Sequence, residues 1–232
     1  MILIGQIDVD IKDLVRRAFT ALIATAAIAL FAGCARSTFI QNPYEAIPRP
    51  TPERIAQTHQ PEALRADLDA IVALHERTNP NPYLRVSKES IRSLADRLKA
   101  SIDRPMTRRE FLPLVMELQA GYRSDHYNQA VPREDLEAAL ARGERLLPFR
   151  AEPRGDALTV VAVSDSERAI EPGDTIVRIG AVSAPDHLAR LRALVPHEST
   201  QSRDTQVRER FRTLAWAAGI QLPTQVEVIR PD

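Results

Sequence analysis

Glu171-Pro172-Gly173-Asp174-Thr175-Ile176-Val177-Arg178-Ile179-Gly180-Ala181-Val182 decides how the second half of this chain folds. Pro172 suits the first central position of a type II turn, and Gly173 supplies the positive φ that the next position requires. Asp174 is placed to bond back to the turn backbone. A short strand follows, its buried side marked by Ile176 and, more weakly, by Ile179 and Val182. Gly180 closes it where the chain must reverse.

Outward from this stretch the pattern alternates between strand and helix. Ala157 to Val163 is a β-branched strand after the Gly155-Asp156 turn, and Leu146-Leu147-Pro148-Phe149 opens the region. Ser183 to Val195 predicts a helix with Leu188, Leu191 and Val195 on one face. Arg203 to Ala218 predicts a longer one carrying Val207, Phe211 and Leu214, with Gly219 as its stop. Thr224 to Ile229 alternates strictly and reads as the last strand.

Upstream, four helices are expected between residues 61 and 145. Pro61 suits a first helical turn, and Leu64, Leu68, Ile71 and Val72 recur at helical spacing until Asn79-Pro80 stops them. A second helix starts after Ser87 and puts Ile91, Leu94, Leu98 and Ile102 on one stripe, with Lys88 and Lys99 at its edge. Thr107 and Glu110 form a capping box, with Met106 and Phe111 as the hydrophobic staple. Phe111, Leu114, Val115 and Leu118 follow on one face of that third helix. The fourth runs from Pro132 to Arg142 and ends at Gly143.

These residues resemble a known family. The Pro-Gly-Asp strand is similar to the central strand of PDZ-like domains inside the tail-specific (C-terminal-processing) serine peptidases, although Gly180-Ala181 stands where Asn-Gly is usual. Gly121 to Tyr127 resembles the Gly-Leu-Arg-Asp-Gly-His-Thr turn that joins the family's helices to that domain. Gly121, Arg123 and His126 match it; Ser124, Asp125 and Tyr127 depart from it. The resemblance implies an α+β fold: a helical domain over 61–145, then a PDZ-like β domain with two helices over 146–232. It also implies recognition of peptide or protein C-termini by strand addition, with Leu147, Pro148 and Phe149 as the expected groove. His126 is the family-turn histidine.

The family's catalysis uses a serine nucleophile and a lysine base in a domain after the PDZ-like part. A lysine base needs a depressed pKa in a dry pocket. After the expected cleavage site the chain offers only Lys88 and Lys99, and arginine does not give up its proton. Ser124-Asp125-His126 is no triad, because three consecutive side chains point apart. No catalytic residue is therefore assigned. The expectation is a recognition module. The alternatives are a peptidase fragment that needs a separate Ser/Lys chain, and a structural envelope lipoprotein without a ligand.

Composition narrows the classes further. Thirty-one basic residues balance thirty-one acidic ones, so nothing global points to nucleic acid. Five scattered histidines lack metal spacing, and neither a metal nor a cofactor is expected. Arg16-Arg17, the apolar run Ala18 to Gly33 and the lone Cys34 form a secretory signal over 1–33. Its end resembles the lipobox of bacterial lipoproteins. That resemblance implies lipidation at Cys34, export, and an anchor in a membrane of the cell envelope. Asp8, Asp10 and Asp13 are odd for such a leader, which suggests a translation start nearer Val15. Residues 34–60, with Pro43, Pro48, Pro50 and Pro52, are expected to be an extended spacer. Cys34→Ala should abolish metabolic acyl labelling; unchanged labelling would refute the lipobox reading.

Overall fold

The Pro-Gly turn staples two strands together. Gly173 takes φ +101°, and Asp174, 1% exposed, accepts a hydrogen bond from the Glu171 amide at 2.9 Å. On the far side, the Gly173 amide donates to the Val160 carbonyl, and the Val160 amide donates to the Asp174 carbonyl. This is a computed structural model that describes residues 50–231 apart from Asn128, Ser166, Arg168, Gln221 and Pro223. The expected signal segment, Cys34 and most of the spacer lie outside the described residues.

In chain order the elements are α1 (Pro52–Ala56), β1 (Thr58–His59), α2 (Pro61–Thr78), α3 (Lys88–Ala100), β2 (Met106–Thr107), α4 (Arg108–Gly121) and α5 (Arg133–Ala141). There follow β3 (Phe149–Arg154), β4 (Ala157–Val163), β5 (Thr175–Ile179), β6 (Val182–Ser183), α6 (Ala184–Ala193), α7 (Thr200–Ala217) and β7 (Val226–Ile229). The class is α+β. β1 pairs with β2, and the larger antiparallel sheet runs β3-β4-β5-β6 with β7 also on β5. The spacer was expected to reach residue 60. Instead Thr51 caps α1, whose Pro52 fits a first helical turn, and β1 anchors the next residues to Met106–Thr107.

Local signals set the helix ends. Ser87 and Ser183 each accept an amide hydrogen bond at a helix start, and the Thr107–Glu110 capping box forms in both directions. Each such cap stabilises its helix by about 1 kcal/mol. Gly121 closes α4 where it meets α3, since a Cβ there would lie 2.4 Å from Leu94 Cδ2.

Packing follows two apolar clusters within the compact unit Pro50–Asp232. One gathers Leu64, Leu68, Ile91, Leu98, Phe111 and Leu118. The other joins the sheet to α6 and α7 through Phe149, Leu158, Ile176, Leu188, Phe211 and Trp216. α4 serves both. Its expected stripe, Phe111 and Leu118, enters the first cluster, while Leu112 and Met116 enter the second.

In β5 the buried pair Ile176 and Ile179 lies three residues apart, which a strictly alternating strand would send to opposite faces. A bulge explains it: the register against β7 slips between Ile176 and Arg178, leaving Val177 as the extra residue. Val182, expected inside, is 42% exposed. Ile176, 2% exposed, sits in the sheet core. Ile176→Asp buries an unpaired charge and should cost on the order of 5 kcal/mol. The check is thermal unfolding, and a native-like transition would refute the packing described.

Candidate functional site

The expected peptide groove is occupied from within. Leu147 and Phe149 are each 1% exposed, with the Phe149 ring 6.0 Å from that of Phe211 on α7. Arg212 Nε donates to the Leu147 carbonyl at 2.8 Å, and the Ser164 amide donates to the Pro148 carbonyl at 2.7 Å. α7 packs chiefly along β3, whereas α6 lies against β4 and β5. Pro153 also removes one amide from β3. The structure thus places Leu147 and Phe149 in the core, with α7 packed against β3. At its far end a polar recess lies between Glu152–Arg154 and Asp204, Thr205 and Arg208.

His126 lies exposed on a 3₁₀ turn, Asp125–Tyr127. Its amide donates to Ser124 Oγ at 3.4 Å, while Asp125 accepts from Gln206 Nε2 at 3.1 Å. Ser124, Asp125 and His126 therefore form no relay. Beneath the turn, the ring of His75 lies 4.7 Å from Tyr122 and 4.1 Å from Tyr127. Asn79 Nδ2 donates to the Tyr127 hydroxyl. Burial holds the His75 imidazole below its usual pKa and pushes the Tyr122 phenol well above its own.

Both described lysines are ion-paired. Lys88 lies 2.7 Å from Glu76, and Lys99 lies 2.7 Å from Asp69 and 3.0 Å from Asp96. The bonds to Asp69 and Asp96 raise the Lys99 pKa, opposite to what a general base needs.

The larger recess is a cleft of about 640 Å³ with an apolar floor that includes Ile55, Met106 and Ala217. Arg104, Arg109, Arg142 and Arg190 line it, against the carboxylates of Glu110 and Asp135. Arg109 stacks on Trp216, its guanidinium carbon 4.2 Å from the ring centroid, and bonds Glu144. Trp216 Nε1 also donates to Glu144, at 3.2 Å. Stacking and pairing hold that guanidinium in one orientation. Asp135 is 2% exposed, with Arg108 at 3.4 Å. Burial raises its pKa, and the Arg108 charge opposes the rise. Arg190 is exposed and carries no ion pair with any described residue. Sequence reading missed this cleft. The one local signal was Arg108-Arg109 inside the capping box.

No family model matches the sequence, and no curated protein does. Among solved structures, mature CPAF is a weak neighbour with a TM-score of 0.44 and 14% identity. The match covers 74% of this chain and 32% of that one, so this chain spans about a third of its length. A likeness of that size carries no argument.

The half-buried His75 gives a pH signature. Its folded pKa lies below the unfolded value of about 6.5, so the unfolded state binds more protons between the two. The neutral imidazole's contribution is complete above about pH 6.5 and is lost as pH falls toward the folded pKa. Subtracting the thermal stability of His75→Phe from that of the wild type across pH 4–8 should show this loss. A flat difference would contradict it.

Proposed function

We propose that this chain is a non-catalytic recognition lipoprotein, tethered through Cys34, that captures the carboxylate ends of peptides or proteins. The arginine-lined cleft carries this reading. Four guanidinium groups over an apolar floor suit a ligand with one anionic end and an apolar side chain beside it. Arginine forks match a carboxylate in two parallel hydrogen bonds, and Arg190 is open to make them. The terminus enters this cleft and not the stretch Leu147 to Phe149, where the Leu147 and Phe149 side chains are buried. The reading needs no cofactor. Cleavage, where it accompanies capture, falls to a separate Ser/Lys chain.

A second reading has its own observation. α7 covering β3 is what a structural envelope lipoprotein would show if it kept the fold without a strand-adding groove.

Calorimetry with an apolar-tailed peptide in free-acid and C-terminal amide forms separates the two. The free acid should bind saturably and the amide about tenfold more weakly, the loss expected for one charge-assisted pair. Arg190→Glu, at an exposed position, should weaken the free acid while leaving the Tm unchanged. Equal binding of acid and amide would overturn the carboxylate role, and no binding of either would favour the structural reading. Turnover of the peptide by the purified chain would overturn the non-catalytic assignment.

A further inference from the structure

The geometry points to a second anion site, on the opposite side of α4's C-terminal end, built to take a phosphate monoester. A cleft of about 500 Å³ opens there between α3, the end of α4, α6 and the start of α7. Arg97, Arg123, Arg192 and Arg203 line it with His197, against the single carboxylate of Glu117. The excess of positive charge is larger than in the first cleft, where two carboxylates face four arginines.

What marks the site is which of these cations the fold has left available. Arg97 is paired with Glu117 at 2.9 Å. Arg192 is spent structurally, holding Asp204 through two bonds of 2.8 Å and the Gly155 carbonyl at 2.8 Å. Arg203 is different. Its Nε is buried with no hydrogen-bond partner, and the nearest carboxylate, Asp204, is 3.8 Å away. His197 donates through Nδ1 to the Val195 carbonyl at 3.1 Å, which leaves Nε2 for another group.

Arg123 is the most telling. Its φ of +54° makes it the one described non-glycine residue in the left-handed region. A glycine would hold that conformation with less strain. Its backbone closes α4, the Arg123 amide donating to the Ala120 carbonyl at 3.0 Å. The exposed Arg123 side chain lines the cleft and makes no hydrogen bond or ion pair with any described residue.

Two guanidinium groups with N–H donors to spare suit a dianion with three terminal oxygens better than a monocarboxylate. The chemistry is shared by soluble phosphate monoesters and by a monoester lipid headgroup. It is separate from the carboxylate cleft, whose arginines take no part.

The test is calorimetry of the full chain with glycerol phosphate, and with acetate as the monocarboxylate control. Flotation with vesicles of phosphatidylcholine, with and without phosphatidic acid, runs in parallel. Glycerol phosphate should bind saturably and acetate at least about tenfold more weakly. Arg123→Gly should abolish that binding with an unchanged or raised Tm, because the substitution relieves strain. Arg203→Gln should weaken it, while Arg190→Glu in the other cleft should leave it intact. Binding of glycerol phosphate alone assigns a soluble monoester, and added capture by phosphatidic acid vesicles assigns a headgroup. Either result supports the site. No binding to either phosphate probe, equal binding of acetate, or binding that survives Arg123→Gly overturns it. Loss of peptide-acid binding with phosphate binding intact would remove only the carboxylate reading.

Discussion

Everything else in this fold depends on a helix buried along two of its sides. A surface helix hides one stripe and leaves the rest wet. α4 instead sends Phe111 and Leu118 into one cluster and Leu112 and Met116 into the other. The remaining surface is divided between its two ends, and each end borders a cleft. Thr107, Arg109, Glu110 and Pro113 face the larger one, and Glu117, Ala120 and Gly121 face the smaller. One element thus borders both arginine groups, carrying Arg109 itself and leading directly into Arg123. A change in the packing of Leu112 or Leu118 would reach both clefts at once.

The second constraint is the treatment of the β3 edge. An edge strand exposes unpaired amides and carbonyls and invites another strand. Here α7 packs against β3, with Val207, Phe211, Leu214 and Trp216 all buried. Arg212 satisfies the Leu147 carbonyl. Moving α7 aside would expose several large side chains at about 2 kcal/mol each. The same helix carries Trp216, against which Arg109 is stacked. Covering β3 and shaping the larger cleft are therefore one structural decision.

Much of this was legible from local chemistry. Caps at Ser87, Thr107 and Ser183, the Pro-Gly turn, and β4 over Ala157–Val163 all come from residues within a few positions of each other. The bulge at Val177 was not legible, since Ile176 and Ile179 at a spacing of three fit neither strand nor helix. Leu112 and Met116 were hidden by their own neighbours, because Phe111 to Leu118 already supplied a complete single stripe. α1 was masked by prolines, which end helices but also start them. The larger cleft was the hardest to see. Its cations run from Arg104 to Arg190, and in a chain where all but three of thirty-one basic residues are arginine, no single one stands out.

That arginine bias now bears on function. A lysine can lose its proton in a dry pocket and act as a base, whereas a guanidinium stays charged and can only bind and orient. Where this chain does keep lysines near its helices, carboxylates hold them: Glu76 beside Lys88, Asp69 and Asp96 around Lys99. Its two clefts contain no lysine at all among their described lining residues. The guanidinium groups that line these clefts stay charged across the whole range of physiological pH, which fits them to hold and orient an anionic group.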